Sequence, residues 1–204
     1  MLTHSPRPAS GPRHASPMGW PSTCHPSYAG IGSRKTPPAV LALMGSVAAE
    51  LAAQGWVLRT GMAGGADQAF YRGAAANGAV ELYLPWARFE ASARRSGMRE
   101  FTLAQPSQAA YTMASHFHPA WGSLSGGVRH LHARNCHQVL GADLASPARF
   151  VLCWTPDGSL DGTGRRVGGT GQALRIAHHY GVPVFNLARG DHAERVRTRL
   201  LGDA

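Results

Sequence analysis

Short apolar runs alternate with stretches of helical periodicity from Ser27 to the end of the chain, and this alternation is the strongest constraint on the fold. The apolar runs are predicted strands at 28–31, 56–59, 80–84, 149–154 and 182–187. Near-continuous apolar strands that alternate with helices are typical of a parallel sheet covered on both faces. With right-handed crossovers, the expected fold class is α/β: a Rossmann-like doubly wound, mainly parallel sheet of about five strands with helices on both faces.

Residues that favour helix ends predict where the helices begin and stop. Thr36 is a suitable N-cap, Pro37 suits the first helical position, and Gly55 ends the helix. Further helices are predicted over 67–77, 107–117, 128–140, 172–180 and 191–201. The remainder of 87–125 is predicted to form short helices and loops.

The first 26 residues differ in composition from the rest. They contain six prolines and no acidic residue, which predicts a disordered basic tail over 1–26 and one folded domain over 27–204. Whether this tail is an electrostatic arm for phosphates or only a solvated leader stays open. The whole chain carries 20 Lys and Arg against 11 Asp and Glu, a net charge of +9, which favours a polyanionic partner such as nucleic acid or a phosphorylated small molecule.

Several classes of protein are disfavoured. No apolar run is long enough to span a membrane, and the N-terminus lacks the apolar core of a signal peptide. Cys24, Cys136 and Cys153 form neither a disulfide framework nor a Cys-x-x-Cys pair, so a cytoplasmic location is expected. Nothing predicts a cofactor. Five histidines lie between 116 and 137, but no carboxylate joins them at ligand spacing, and no metal site is expected.

Three glycine-rich segments each follow a predicted strand. Because ligands bind at the carboxyl edge of such a sheet, we expect the three segments to form one site. Gly32 allows close backbone approach, Ser33 offers a hydroxyl, and Arg34 offers a guanidinium suited to phosphate. The candidate ligand-binding residues of the other two segments are Gly61, Gly64, Gly65 and Asp67, and then Gly168, Gly169, Thr170 and Gly171.

The second and third segments each open a helix, whose first N–H groups suit an anion. Asp67 at the start of its helix is a candidate cap, sugar ligand or catalytic acid. Asp157 is a second candidate catalytic acid, in a charged loop with Arg165 and Arg166 that is interpreted either as a lid or as a solvated loop.

Other candidate ligand contacts lie outside the glycine segments. Asn135 falls on the apolar stripe of its helix, where a buried amide needs a partner, and Arg134 adjoins it. Trp154 ends a strand at the expected ligand edge and, like Trp121, is a candidate for stacking on a base, although core packing is the alternative for both.

These segments resemble the DNA-processing protein family DprA (Smf). The resemblance covers TGMAGGADQAFYRGAA at 60–75, GIGSRKTP at 30–37 and the Arg-Asn pair at 134–135. GGTGQALRIA and the later GVPVFNL resemble the last glycine loop and strand of the wider superfamily (SLOG), which joins DprA to the LOG phosphoribohydrolases. The resemblance implies single-stranded DNA binding, a role in DNA recombination or processing with a recombinase as partner, and self-association as a homodimer.

The sequence also departs from these families. Gly64 stands where DprA proteins usually carry an arginine, and one helix ends the chain where they often add a winged helix. Arg175 stands where LOG enzymes carry a glutamate, which counts against the same hydrolysis. The favoured hypothesis is a nucleotide- or single-stranded-DNA-binding protein, and the alternatives are a nucleotide N-glycosidase and a sensor of a nucleotide-derived signal. Whether the chain is an enzyme stays open.

Overall fold

The structure is a computed structural model that describes residues 25–76, 78–95, 99–164 and 168–202. Most of the predicted basic tail, and both Arg165 and Arg166 of the charged loop, lie outside the described residues. Among the helices in these ranges, none combines the length and apolar character that crossing a membrane requires.

One sheet of six strands forms the centre of the described chain, and every strand pair in it is parallel. The strands are β1 (Ser27–Gly30), β2 (Val57–Thr60), β3 (Ala79–Tyr83), β4 (Arg99–Leu103), β5 (Val151–Cys153) and β6 (Val184–Asn186). The helices are α1 (Pro38–Ala53), α2 (Ala66–Ala74), α3 (Gln108–His116), α4 (Gly126–Leu140), α5 (Thr170–His179) and α6 (Gly190–Leu201). Two short 3₁₀ turns lie at Ala91–Ala93 and Trp121–Ser123.

The predicted fold class is confirmed, with one strand more than expected. Strand β4 falls within the segment predicted as short helices and loops. It lies at the edge of the sheet and pairs only with β3, so it carries charged residues and lacks the apolar run of a central strand.

The helix ends are close to the predicted ones, with one correction. The structure begins α1 at Pro38, and Thr36 is not its cap. The Thr36 hydroxyl instead donates a hydrogen bond to the carbonyl of Ser33 at 2.8 Å, which tightens the loop after β1. Ser107 does cap α3, where its side chain accepts a hydrogen bond from the N–H of Ala110.

Helices cover both faces of the sheet. Successive strand residues point to opposite faces, so Tyr28 belongs to one core cluster and Ala29 to the other. The first cluster packs the sheet against α1, α2 and α6, and the second packs it against α3, α4 and α5. This arrangement is the doubly wound topology that the alternation of strands and helices predicts.

The strand order, β4-β3-β2-β1-β5-β6, reverses direction at β1. The chain builds outward from β1 to β4 on one side and then returns to place β5 on the other side of β1. The loops that leave β1 and β5 therefore diverge and open a crevice at the carboxyl edge, which is the usual ligand position in such sheets.

Helices α1 and α2 approach each other closely through two glycines. A Cβ added at Gly73 of α2 would collide with the backbone carbonyl of Gly45 in α1. A Cβ added at Gly45 would meet only the carbonyl oxygen of Ala69, at 3.8 Å, which is ordinary van der Waals contact. The two glycines face each other but differ in how much space surrounds them.

We therefore expect Gly73→Ala to lower the free energy of unfolding by about 1–3 kcal/mol, because the helices must move apart. Gly45→Ala is the matched control and should be neutral or stabilising by up to ~1 kcal/mol, since alanine favours a helix over glycine. Urea unfolding of both variants measures the difference. Equal effects of the two substitutions would contradict this packing.

Candidate functional site

A cleft of about 780 Å³ lies at the crevice between the loops that follow β1 and β5. Gly32 lines it from the first glycine segment, and Gly168 and Gly169 line it from the third. The second segment contributes Asp67, and its Gly65 packs beneath the first loop, where a Cβ would lie 2.8 Å from the Cα of Arg34. The structure therefore brings the three segments together at one edge of the sheet.

Close backbone contacts hold the first loop in place. A Cβ at Gly32 would lie 2.7 Å from the Cβ of Ala66 and 3.2 Å from the backbone nitrogen of Trp154, so no larger residue fits. The N–H of Ser33 donates a hydrogen bond to the carbonyl of Trp154 at 3.2 Å. The loop is thus held between the start of α2 and the chain that leaves β5.

A buried ion pair forms the floor of the cleft. Nη1 of Arg134 on α4 lies 3.2 Å from Oδ2 of Asp67 on α2, and the two side chains are 6% and 4% exposed. The same Oδ2 accepts hydrogen bonds from the N–H of Ala63 at 3.3 Å and from Nε2 of Gln138 at 3.5 Å. Asp67 was a candidate helix cap, but no side chain caps α2, and this carboxylate reaches back to the loop before the helix.

Opposing effects act on the pKa of Asp67. Burial raises the pKa of its carboxyl, and the charge of Arg134 with the N–H groups of Ala63 and Gly32 lowers it, leaving the pKa above its usual range. Burial also lowers the pKa of the Arg134 guanidinium. Nε of Arg134 is buried without a hydrogen-bond partner among the described residues. This buried N–H can donate a hydrogen bond to one further acceptor.

Gly61 makes room for this pair. A Cβ at this position would coincide with the guanidinium of Arg134, so only glycine allows the arginine to cross the end of β2. Gly61 therefore contributes to the site by leaving space for the Arg134 side chain, and it does not line the cleft.

A polar network fixes the start of α5 on the opposite wall. Nδ2 of Asn135 donates to the carbonyl of Gly169 and to Oε1 of Gln172, each at 3.1 Å. Nδ1 of His132 lies 3.2 Å from the same Oε1, and Nε2 of Gln172 donates to the carbonyl of Ala114 at 3.3 Å. Burial lowers the pKa of His132 to about 4, so its ring is neutral at physiological pH.

The charge of the cleft is positive. Among the described residues that line it, Arg34, Lys35 and Arg134 are cationic, and Asp67 is acidic. Arg34 and Lys35 are exposed at the mouth, and the charge of Arg34 is close enough to lower the pKa of Arg134. One of the three positive charges is balanced by Asp67, and an anion in the cleft would balance the rest.

Some predicted site residues lie outside the cleft lining. Trp154 holds the first loop through its backbone, while its side chain packs against the first core cluster. The exposed Asp157 accepts hydrogen bonds from the hydroxyl of Thr155 at 2.9 Å and the N–H of Ser159 at 3.2 Å, so it shapes its own loop. Two further glycines are also outside the lining, Gly64 and Gly171.

Sequence reasoning missed four residues that build the site: Lys35, His132, Gln138 and Gln172. Gln138 lies one helical turn beyond Arg134 on α4, which is the one signal that could have indicated it. Arg175, at the position of the LOG glutamate, donates to the carbonyls of Phe117 at 2.7 Å and Gly162 at 2.6 Å. Its side chain therefore connects the end of α3 to the loop after β5 and does not line the cleft.

No protein family model and no curated protein matches the chain. Among solved structures, the chain is similar to DNA processing protein A from Helicobacter pylori, which is described with a single-stranded DNA binding mode. The identity is 16%, the TM-score is 0.45, and the match covers 85% of this chain and 72% of that one.

We expect Arg134→Met to destabilise the fold by about 3–5 kcal/mol at neutral pH, because it leaves the Asp67 carboxylate buried without its cation. The pKa of Asp67 then rises further above its unfolded value, so the folded state keeps a proton that the unfolded chain has released. Stability is therefore lost as the pH rises from the pKa of Asp67 in the unfolded chain to its higher pKa in the folded variant. The loss of unfolding free energy caused by Arg134→Met should be smaller at about pH 5 than at about pH 8. Urea unfolding at both pH values measures it.

The double variant Asp67→Asn/Arg134→Met buries no charge at this position and serves as the control. Its free energy of unfolding should lose the pH dependence of the single variant. A penalty for Arg134→Met that is the same at both pH values would mean that the pair does not stabilise the cleft floor as described.

Proposed function

We propose that the cleft binds a phosphate group of a nucleotide or of single-stranded DNA, and that the protein is a DprA-like DNA-binding protein. The observation that carries this proposal is the placement of Arg34, Lys35 and Arg134 in one cleft with the N-terminus of α5. Cationic side chains and free helical N–H groups are the two donor types that proteins use for phosphate.

The start of α5 supports the proposal through its glycines. The first N–H groups of a helix have no acceptor within the helix, and the helix dipole adds partial positive charge there. Gly169 has an ordinary helical φ of −63°, and a Cβ on it would meet no atom within 4 Å. Neither packing nor backbone conformation requires glycine here, and the lack of a side chain leaves the backbone accessible to a ligand.

The two arginines support an anion between them. Arg34 is exposed at the mouth and Arg134 lies at the floor, where its Nε has no partner among the described residues. Burial is the main cause of the lowered pKa of Arg134, and repulsion from the charge of Arg34 lowers it further. A phosphate that binds both arginines would offset this repulsion.

Single-stranded DNA is the polyanion we favour because of the DprA-like motifs and the net charge of +9. The cleft volume of about 780 Å³ suits a nucleotide-sized group. A role in recombination, a recombinase partner, a homodimer and a cytoplasmic location stay predictions from the sequence.

A second candidate function, cleavage of a nucleotide N-glycosidic bond, is favoured by one observation. Asp67 lines the cleft, and the pKa of its carboxyl group is raised, which is common for catalytic acids. The protein's own donors already occupy this carboxylate, and Asp157 lies outside the cleft lining. We therefore assign Asp67 to positioning Arg134 and favour binding over turnover.

We expect Arg34→Ala to weaken binding of a labelled oligothymidylate by about tenfold or more, since a hydrogen bond to a charged group contributes about 1.5–3 kcal/mol. The slope of log affinity against log salt should decrease by about one. Fluorescence anisotropy at several salt concentrations measures both quantities. Thermal unfolding should not change, because Arg34 is exposed.

The matched control is Arg197→Ala, which removes an exposed arginine on α6 outside the cleft. It should keep the parent affinity apart from the small effect of one distant charge. If Arg34→Ala bound like this control, the cleft would not be the phosphate site.

Incubation with a panel of nucleoside monophosphates tests the second candidate. We expect every nucleotide to be recovered intact, because the Asp67 carboxylate is already held by donors of the protein itself. Chromatography for free base is the measurement. Base release that the Asp67→Asn variant abolishes would establish the glycosidase function in place of simple binding.

A further inference from the structure

A row of rings leads out of the cleft wall along α4. His132 lines the cleft, and the ring of His118 lies against it with 4.4 Å between ring centroids. The ring of Trp121 follows at 6.4 Å from His118, and the guanidinium of Arg129 lies 5.8 Å from the Trp121 ring centroid. We call these four residues the ring ladder.

The ring ladder is held by local structure. The N–H of Ala120 donates to Nδ1 of His118 at 3.3 Å, and Nη2 of Arg129 donates to the carbonyl of Gly122 at 2.9 Å. These bonds fix the 3₁₀ turn at Trp121–Ser123 against the first half of α4. His118 and Trp121 remain partly exposed, so their rings are accessible next to the cleft.

The charge around the ring ladder selects the class of partner. The sequence contains no aspartate or glutamate between Glu100 and Asp143. The positive charge in the ring ladder comes from Arg129, because the ring of His132 is neutral at physiological pH. Burial lowers the pKa of His118, and the nearby positive charge of Arg175 lowers it further. A surface that combines rings with positive charge and lacks acids complements a polyanion that carries flat bases.

We propose that the ring ladder is a second subsite, which stacks the bases of a single-stranded nucleic acid whose phosphate occupies the cleft. This inference rests on the function proposed above and specifies the ligand as a strand longer than one nucleotide. Stacking on aromatic side chains tolerates any base, because every base presents a flat face. The subsite would therefore add affinity with little sequence preference.

The test compares two labelled oligonucleotides of equal length and charge, one of thymidylate and one abasic. Trp121→Ala should weaken binding of the thymidylate strand by about tenfold, in the range measured for loss of one stacked base. Binding of the abasic strand should not change, because it offers phosphates and no bases. Fluorescence anisotropy at constant low salt gives both affinities.

Two variants control for the tryptophan itself. Trp86→Ala removes another exposed tryptophan, which lies after β3 and outside both the cleft and the ring ladder, and should leave both affinities unchanged. Trp121→Phe keeps a stacking ring and should retain most of the affinity for thymidylate. Thermal unfolding checks that each variant folds.

His118→Ala is the second test variant, since Trp121 also packs partly against the second core cluster. It should likewise weaken binding of thymidylate and spare the abasic strand. If both alanine variants bound thymidylate as the parent does, or lost equal affinity for both strands, the stacking subsite would be overturned. If the parent bound neither strand, the proposed function itself would fall.

Discussion

The buried pair of Asp67 and Arg134 is the interaction on which the architecture of the cleft depends. It joins α2 on one face of the sheet to α4 on the other, across the end of β2 at Gly61. Leaving one of these charges without its partner would cost several kcal/mol, so the two helices must keep their relative positions. The next residue on α4, Asn135, holds the start of α5 through a hydrogen bond to the carbonyl of Gly169. Adjacent positions on one helix thus fix both walls of the cleft.

This arrangement divides the polar residues of the site into two groups. Inner groups such as Asp67, Asn135 and Gln172 form hydrogen bonds with other side chains of the protein and with nearby backbone. These bonds fix the shape of the cleft. Outer groups such as Arg34 and Lys35 are exposed at the mouth, as is the backbone of Gly168 and Gly169 just before α5. A rigid interior with a positive, accessible rim is suited to holding an anion without covalent chemistry.

Much of the fold follows from local sequence. Apolar runs and helix signals predicted five of the six strands and all six helices, because the apolar residues of those elements recur with the period of the element and pack into the core. Strand β4 was not predicted, because an edge strand needs no continuous apolar run. Its Glu100 accepts hydrogen bonds from Tyr71 and Arg94. Those partners come from other elements, which a local pattern does not reveal.

The site was predictable in outline and less so in detail. That the glycine segments meet at one edge follows from the topology of parallel strands. The pairing of Asp67 with Arg134 links positions far apart in sequence, so the local pattern indicated a cap, a sugar ligand or a catalytic acid for Asp67 and did not indicate the ion pair. Trp154 and Asp157 had suitable chemistry at suitable places along the chain, yet their side chains are engaged in the core and in a loop. The direction of a side chain depends on packing, which spacing alone does not give.

A crystal structure of the protein with a short oligothymidylate tests the central claim most directly. We expect a phosphate within hydrogen-bonding distance of the backbone at Gly169 and Thr170 and of the Arg34 guanidinium. Density for the strand on another surface, with the crevice between the loops after β1 and β5 filled only by water, would contradict it.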